Sequence, residues 1–285
     1  TMSQLIEERF SWSRRAAAAS ADDWFVTLAH LGPMRVMVTQ NAGSNTAKIQ
    51  AHGLTSEEAE SLKINHGGTT SEATWLTTKN TPQRAPIRVR GRLAIVSTKS
   101  ELDAAKSSDS IPTLWIPAGL AFGTGEHATT AMCLRHLADI ARHLTKTHWS
   151  FLDLGTGSAI LAMAAKLLGA AEVLGTDFDA LALRTAKENL LNNGLKNIQL
   201  KRSDVLKWKP ERTWNVVAAN LFSGVLIQAA PIISSAIAPE GHLLLSGVLR
   251  NQELEVLAAF QTEGVTFEKI TRKGKWISAR GKRLD

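Results

Sequence analysis

The sequence predicts an α/β protein: a doubly wound, mostly parallel sheet of seven strands, preceded by a small α+β unit. Three observations carry this prediction. Beyond about residue 120, strand-like and helix-like segments alternate, the pattern of a parallel sheet covered by helices. One strand-like run ends in Gly155-Thr156-Gly157 and leads into an apolar helical stripe. The last two strand-like segments face each other across Arg272-Lys273-Gly274, a hairpin that raises five parallel strands to seven.

In chain order, residues 14–31 are Ala-rich and read as helix, 34–38 as a short strand closed by a turn at 40–45, and Thr55-Ser56-Glu57-Glu58 as a helix start. Residues 1–76 therefore form the N-terminal α+β unit. Residues 77–86, rich in Thr, Lys, Asn and Pro, read as a linker, and 87–285 as the main domain. Within that domain 132–144 is helical, 151–154 a strand, and Ile160, Ala164 and Leu168 mark one helical face. Strands follow at 173–176, 198–200, 214–219 and 242–246, with helices at 180–192, 224–237 and 252–263. The closing hairpin joins 265–270 to 275–279.

Composition narrows the function. The chain has 285 residues, 44% apolar and 21% charged, with a mean hydropathy of -0.07, all ordinary for a globular protein. It has no Tyr, which excludes tyrosine-based acid, base or nucleophilic chemistry, and the single Cys133 builds neither a disulfide nor a multi-cysteine zinc site. A reducing cytoplasmic location is expected. Arg14-Arg15 is not followed by a continuous apolar stretch, so a twin-arginine leader is not expected. The uncharged run 213–239 is interrupted by Asn220, Gln228, Pro231 and Ser234-Ser235, and reads as a buried strand and helix in place of a membrane span. The net charge is +7, and its excess sits in two stretches: 269–285 holds seven Lys/Arg against one acid, and 184–212 eight against three.

Three constellations point to ligand chemistry. A strand ending in Gly-x-Gly lets a ligand approach the backbone closely, and Asp177 ends the next strand, where a carboxylate can accept from both hydroxyls of a ribose. A nucleoside ligand is implied. The third glycine of a dinucleotide fingerprint is replaced by Ile160, so a pyrophosphate is weakly supported. Asp204, one strand further on, is placed to reach an adenine amino group, with a solvated loop or a helix cap as the alternative for it as for Asp177. The second constellation, 119–130, gathers three glycines and three threonines around His127, and reads as a loop closing over a ligand, with a structural histidine as the alternative. The third is Asn220, the first polar group after a buried strand, able to donate and accept at once or to cap the next helix.

Together these segments resemble the bacterial ribosomal protein methyltransferase family PrmA, which modifies protein eleven of the large ribosomal subunit. Its most specific mark is the block from Leu120 to Thr130 (Leu-Ala-Phe-Gly-Thr-Gly-Glu-His-Ala-Thr-Thr), and the match continues through Asp153-Leu154-Gly155-Thr156-Gly157-Ser158, Gly175-Thr176-Asp177-Phe178-Asp179, Ala219-Asn220-Leu221 and Ser246-Gly247-Val248-Leu249. The resemblance covers about residues 84 to 285 and implies a class I, Rossmann-like methyltransferase domain with S-adenosyl-L-methionine as cofactor, plus a ferredoxin-like substrate-recognition domain. Carried over by position, cofactor contacts fall on Thr130, Gly155, Asp177 and Asn220. Gly157, Phe178, Asp204 and the loop residues Phe122, Gly123 and Thr124 complete the candidate set. His127 and Asn220 are the candidate catalytic residues, orienting an incoming amine. Where the family has Gly-Ser-Gly, this chain has Gly157-Ser158-Ala159, a more crowded entry to the helix.

The reaction so implied is methyl transfer to Lys ε-amines or an α-amine of a large-subunit ribosomal protein. The expected partners are that protein and, transiently, ribosomal RNA, with no membrane and with the chain acting as a monomer. Methylation of RNA, DNA or a small molecule on the same fold is the alternative, although Asn220 is followed by Leu221-Phe222-Ser223 and not by the Pro-Pro-aromatic of base methylation. A nicotinamide dehydrogenase and a non-catalytic RNA-binding module are further alternatives.

Overall fold

The computed structural model describes residues 10–21, 23–31, 35–40, 45–72, 85–108, 111–117, 127–144 and 147–284. The described residues fall into two compact units, 10–72 and 85–284. The expected linker at 77–86 lies outside the described residues except for 85 and 86.

The first unit runs β1 (Phe10–Ala17), α1 (Asp23–Thr27), β2 (Val36–Gln40), β3 (Thr46–Leu54), α2 (Ser56–His66) and β4 (Thr69–Glu72). Its antiparallel sheet has the order β2-β3-β1-β4, the split β-α-β arrangement of ferredoxin-like units. One expectation is corrected here. The Ala-rich stretch 14–31 is not a helix: Arg14 to Ala17 belong to β1, the strand paired on both sides, and only short helical turns follow. Helix propensity differs among ordinary residues by a few tenths of a kcal/mol. It loses here to the ladder that pairs Arg14–Ala17 with β3, to the second ladder that holds Phe10–Ser13 on β4, and to Trp12, fully buried, whose Nε1 donates to the Gly67 carbonyl at 2.7 Å. The helix start at Thr55 is as expected: its hydroxyl accepts from the Glu58 N–H while Glu58 accepts from the Thr55 N–H.

The second unit opens with β5 (Ile87–Val89), β6 (Leu93–Val96), α3 (Lys99–Ser107) and β7 (Thr113–Trp115), a three-stranded sheet that the periodicity does not reveal. Next come α4 (Ala128–Leu144), β8 (Ser150–Leu154), α5 (Ile160–Leu167), β9 (Glu172–Asp177), α6 (Ala180–Asn193), β10 (Gln199–Arg202), β11 (Trp214–Asn220), α7 (Ser223–Ser235), β12 (Ile237–Leu249), α8 (Glu253–Thr262), β13 (Val265–Lys273) and β14 (Trp276–Arg283). The large sheet has the order β10-β9-β8-β11-β12-β14-β13. Its first five strands are parallel and the hairpin antiparallel. This is the expected doubly wound, seven-stranded architecture.

Strand alternation sorts the two faces. Leu152, Leu154, Val217, Ala219, Leu243 and Leu245 pack with Leu226 and Ile233 of α7 and Val256 and Phe260 of α8. The opposite face carries α4 and α5: Cys133 of α4 meets Ser278 of β14 at 3.8 Å, and the Ala162 N–H of α5 donates to Asp153. The chain leaves β8 toward β9 and β10 on one side and toward β11 and β12 on the other, so a switch point lies at the carboxyl end of β8. Open α/β sheets bind ligands in that crevice.

Gly247 is where the fold admits no side chain. It lies at φ +83° in a bulge of β12 against β14, and a Cβ there would stand 2.3 Å from the Leu221 carbonyl oxygen. Leu221 donates its N–H to the Ser246 carbonyl at 3.1 Å, which fixes the residue next to Asn220. Gly247→Ala should destabilise the protein by more than about 2 kcal/mol, the left-handed backbone cost plus a main-chain collision. Denaturant unfolding of the variant measures this, and a loss under about 0.5 kcal/mol would contradict the close approach.

Candidate active site

At the end of β8 the chain turns into α5 within five residues, three of them left-handed: Gly155 (φ +70°), Gly157 (φ +55°) and Ala159 (φ +62°). Ala159 occupies the crowded position that the sequence marks. An alanine there bears a cost of about 1 kcal/mol that glycine would not. A Cβ on Gly155 would come within 2.3 Å of Leu221 Cδ2, a side-chain tip that can shift, so it is the left-handed backbone that calls for glycine here.

Two carboxylates hold the turn. Asp153, 1% exposed, accepts at Oδ2 from the Thr156 hydroxyl at 2.7 Å and from the Ala162 N–H at 3.2 Å. Asp177, 5% exposed, accepts at Oδ2 from the Gly157 N–H and at Oδ1 from the Asp179 N–H, both at 3.0 Å. Burial pushes the Asp153 carboxyl up to about 7, against the pull of those two donors. Burial also raises Asp177, opposed by the N–H groups of Asp179 and Gly157.

Across the switch point, parallel pairing sets Ala219 of β11 beside Leu154 of β8, and Asn220 follows. Its Nδ2 donates to the Thr129 hydroxyl at 3.4 Å, and that hydroxyl lies 2.8 Å from His127 Nδ1. The His127 ring also packs edge-on to Trp276, with centroids 5.2 Å apart. The structure therefore joins Asn220 and His127 through Thr129, which is fully buried and which the sequence did not single out. Asn220 Oδ1 and the Thr130 hydroxyl are buried without a hydrogen-bond partner among the described residues.

Phe178 follows Asp177 with its side chain 60% exposed, and its carbonyl accepts from Arg202 Nε at 3.1 Å. Asp204 is engaged locally: Oδ1 accepts from the Leu206 N–H at 3.0 Å, and Lys207 Nζ lies 3.5 Å from Oδ2. The side chain thus closes the turn at 205–207, and no helix follows it for it to cap. Phe122, Gly123 and Thr124 lie outside the described residues. Two further side chains brace the site, Asn189 and Asn193, one turn apart on α6. Asn189 Nδ2 donates to the Ser158 carbonyl at 2.9 Å, while Asn193 accepts from the Trp115 N–H at 2.7 Å and donates to its carbonyl at 2.8 Å. Their i, i+4 spacing on one buried helical face was the available signal.

The model of the family described as ribosomal protein L11 methyltransferase (PrmA) matches residues 30–284. The chain belongs to this family. A ribosomal protein L11 methyltransferase of Heliobacterium modesticaldum is 36% identical over 189 residues, 66% of this chain and 58% of that protein. One from Brucella suis is 39% identical over 167 residues, 57% of this chain and again 58% of the relative. The chain thus matches less than two thirds of the length of these curated relatives. A solved structure of a ribosomal protein L11 methylase from Lactobacillus delbrueckii subsp. bulgaricus superposes with a TM-score of 0.60 at 28% identity, over 71% of this chain and all of that one. PrmA membership and this likeness agree with the strand order and with the glycine turn at its switch point. No helix among the described residues is long and apolar enough to cross a membrane.

Asp153 also makes stability pH-dependent. Its native carboxyl titrates at about 7 against 3.8 unfolded, so between those values the folded state binds more protons and stability falls as pH rises. The contribution is on the order of 4 kcal/mol, present near pH 4 and lost by about pH 7. Asp153→Asn, which cannot titrate, should lack this slope. Equal slopes for both proteins in denaturant unfolding across that window would refute the assignment.

Proposed function

We propose that this chain transfers methyl groups from S-adenosyl-L-methionine to amine nitrogen of a large-subunit ribosomal protein. The observation that carries this reading is the donor and acceptor set around the switch point. A carboxylate has about four lone-pair sites, and Asp177, held by the N–H groups of Gly157 and Asp179 with that of Phe178 close by, keeps acceptor capacity for a ribose hydroxyl. The partnerless Asn220 Oδ1 and Thr130 hydroxyl supply an acceptor for N–H groups and a donor for a carboxylate. The exposed face of Phe178 beside Asp177 suits the flat apolar adenine, as the chemistry of the cofactor requires.

The bound cofactor supplies a methyl group already activated by a sulfonium charge. What remains for the protein is positioning and exclusion of water. Asp177 would fix the ribose, Gly155 and Gly157 admit the amino-acid end close to the backbone, and Thr130 would hold its polar atoms. Asn220 Oδ1 accepts an N–H of the incoming amine and so aims the nitrogen lone pair, while Thr129 and His127 keep the Asn220 amide from rotating. An amide does not take up a proton at neutral pH. A lysine ammonium of pKa about 10.4 must therefore lose its proton to water before docking, and only about one lysine in 2,500 is neutral at pH 7. Turnover at limiting acceptor should rise with pH accordingly.

Large-subunit ribosomal proteins are made in the cytoplasm, and the reaction belongs there. The groups named here all lie in one unit of one chain, which fits action as a monomer. The transient contact with ribosomal RNA that the net charge favours is independent of the transfer chemistry and turns on where the cations lie.

Two measurements test this reading. By calorimetry, Asp177→Ala should weaken S-adenosylhomocysteine binding by at least about tenfold, since one hydrogen bond to a charged group is worth about 1.5–3 kcal/mol. Unchanged affinity would remove Asp177 from the site. With cofactor carrying a labelled methyl, label should enter a purified large-subunit ribosomal protein and not naked ribosomal RNA or small amines; label in RNA alone would replace the proposal by the RNA methyltransferase alternative.

A further inference from the structure

The two basic stretches of the sequence differ once folded. In the β13–β14 hairpin the cations meet carboxylates from several elements: Lys269 lies 4.0 Å from Asp139, Arg280 3.1 Å from Glu268 and Lys282 3.0 Å from Glu240, and Arg272 pairs with Glu253. Arg283 spends its guanidinium on the carbonyls of Ser234 and Ile237. At least four of the seven Lys/Arg of residues 269–285 thus have a carboxylate partner, and Lys273 has none among the described residues.

The α6–β10 edge is different. Arg184, Lys187, Lys196 and Lys209 are exposed, and none has a carboxylate within 4.0 Å among the described residues. Arg202, also exposed, gives its Nε to a carbonyl and not to an acid. Lys201 and Lys207 meet Glu211 and Asp204 at 3.5 Å and Arg212 pairs with Glu172, so three of the eight Lys/Arg of 184–212 have a carboxylate partner, all at the surface, where such pairs are worth little. β10 ends the sheet, α6 packs on it, and α6 is about 20 Å long. The unpaired cations thus lie on α6 (Arg184, Lys187), in the loop after it (Lys196), at the end of β10 (Arg202) and beyond β10 (Lys209), with the exposed Glu188 among them.

We infer that this edge is a docking track for the phosphate backbone of RNA. A protein partner needs a desolvated apolar centre, and the exposed large apolar residues of this edge are three single ones on separate elements, Phe178 before α6, Leu191 on α6 and Leu206 after β10. A phosphate backbone needs only dispersed cations, and its binding is driven by release of counterions. The inference stands on charge placement and does not rest on the transfer reaction.

Fluorescence anisotropy with a labelled single-stranded RNA of roughly 20 nucleotides, measured on the full chain between about 50 and 200 mM salt, tests it. The variant Arg184→Gln/Lys187→Gln/Lys196→Gln/Lys209→Gln should bind at least about tenfold more weakly at 100 mM salt. The slope of log affinity against log salt should shrink by about 3, at roughly 0.7 per lost contact. Lys273→Gln/Lys282→Gln, on the hairpin, should stay within about twofold of native. S-adenosylhomocysteine calorimetry on all three proteins should give one affinity, showing that the fold is intact and separating this outcome from any failure of the methyl-transfer reading. The proposal is overturned if the four-site variant keeps native affinity and slope, or if the hairpin variant loses as much. It is also overturned if polyglutamate displaces the RNA as well as unlabelled RNA does at equal charge, which would assign the track to an acidic protein.

Discussion

Two buried carboxylates beneath and beside one five-residue turn are what the site depends on. The chain must leave a buried strand and enter a helix at once, and it does so through three left-handed residues, of which Gly157 gives its N–H to Asp177 and Ala159 to the Thr156 carbonyl. Asp153 meets the turn from its own strand and Asp177 from the neighbouring one. The cost of burying these acids, visible in their raised titration, is offset by hydrogen bonds that hold Gly157 and the start of α5 in place before any ligand arrives. A site fixed in this way needs little rearrangement to bind, which is the condition for positioning to accelerate a reaction.

From that turn the rest of the arrangement follows by register. Parallel pairing carries the ends of β9 and β11 to the same edge as β8, so Asp177 and Asn220 flank the turn from opposite sides without any long loop to aim them. Gly247 extends the same logic one strand further, since its missing side chain lets the main chain of Leu221 seat against β12. Asn220 is therefore positioned by backbone, and its amide is trimmed by Thr129.

The parallel half of the sheet was legible in the sequence because strands buried on both faces read as short apolar runs. Val216-Val217-Ala218-Ala219 shows this, and the first polar residue after such a run, Asn220 or Asp177, is where the edge begins. Elsewhere local signals competed with contacts that no local reading supplies. The alanines after Arg15 favour helix in isolation, yet Ala16 and Ala17 continue a strand that β3 pairs along its whole length and β4 anchors at its start. The β5–β7 sheet has strands of three or four residues, too short to show a period, although Thr98 and Glu101 form a capping box that marks α3. Thr129 acquires its role from Asn220, 91 residues away, and Asn193 from Trp115, 78 residues away, so their helical spacing marks a buried face without saying what that face meets.

The position of β14 has a consequence for biosynthesis. Residues 276–283 sit inside the sheet, paired on both sides, although they follow every other strand in the chain. A nascent chain can pair β8 through β12 as they emerge, but the long edge of β12 stays open until β14 slots in ahead of β13. At about 5–20 residues per second, the interval from residue 249 to residue 283 is roughly two to seven seconds. For that time a thirteen-residue strand presents unpaired backbone groups, the kind of edge that recruits other chains.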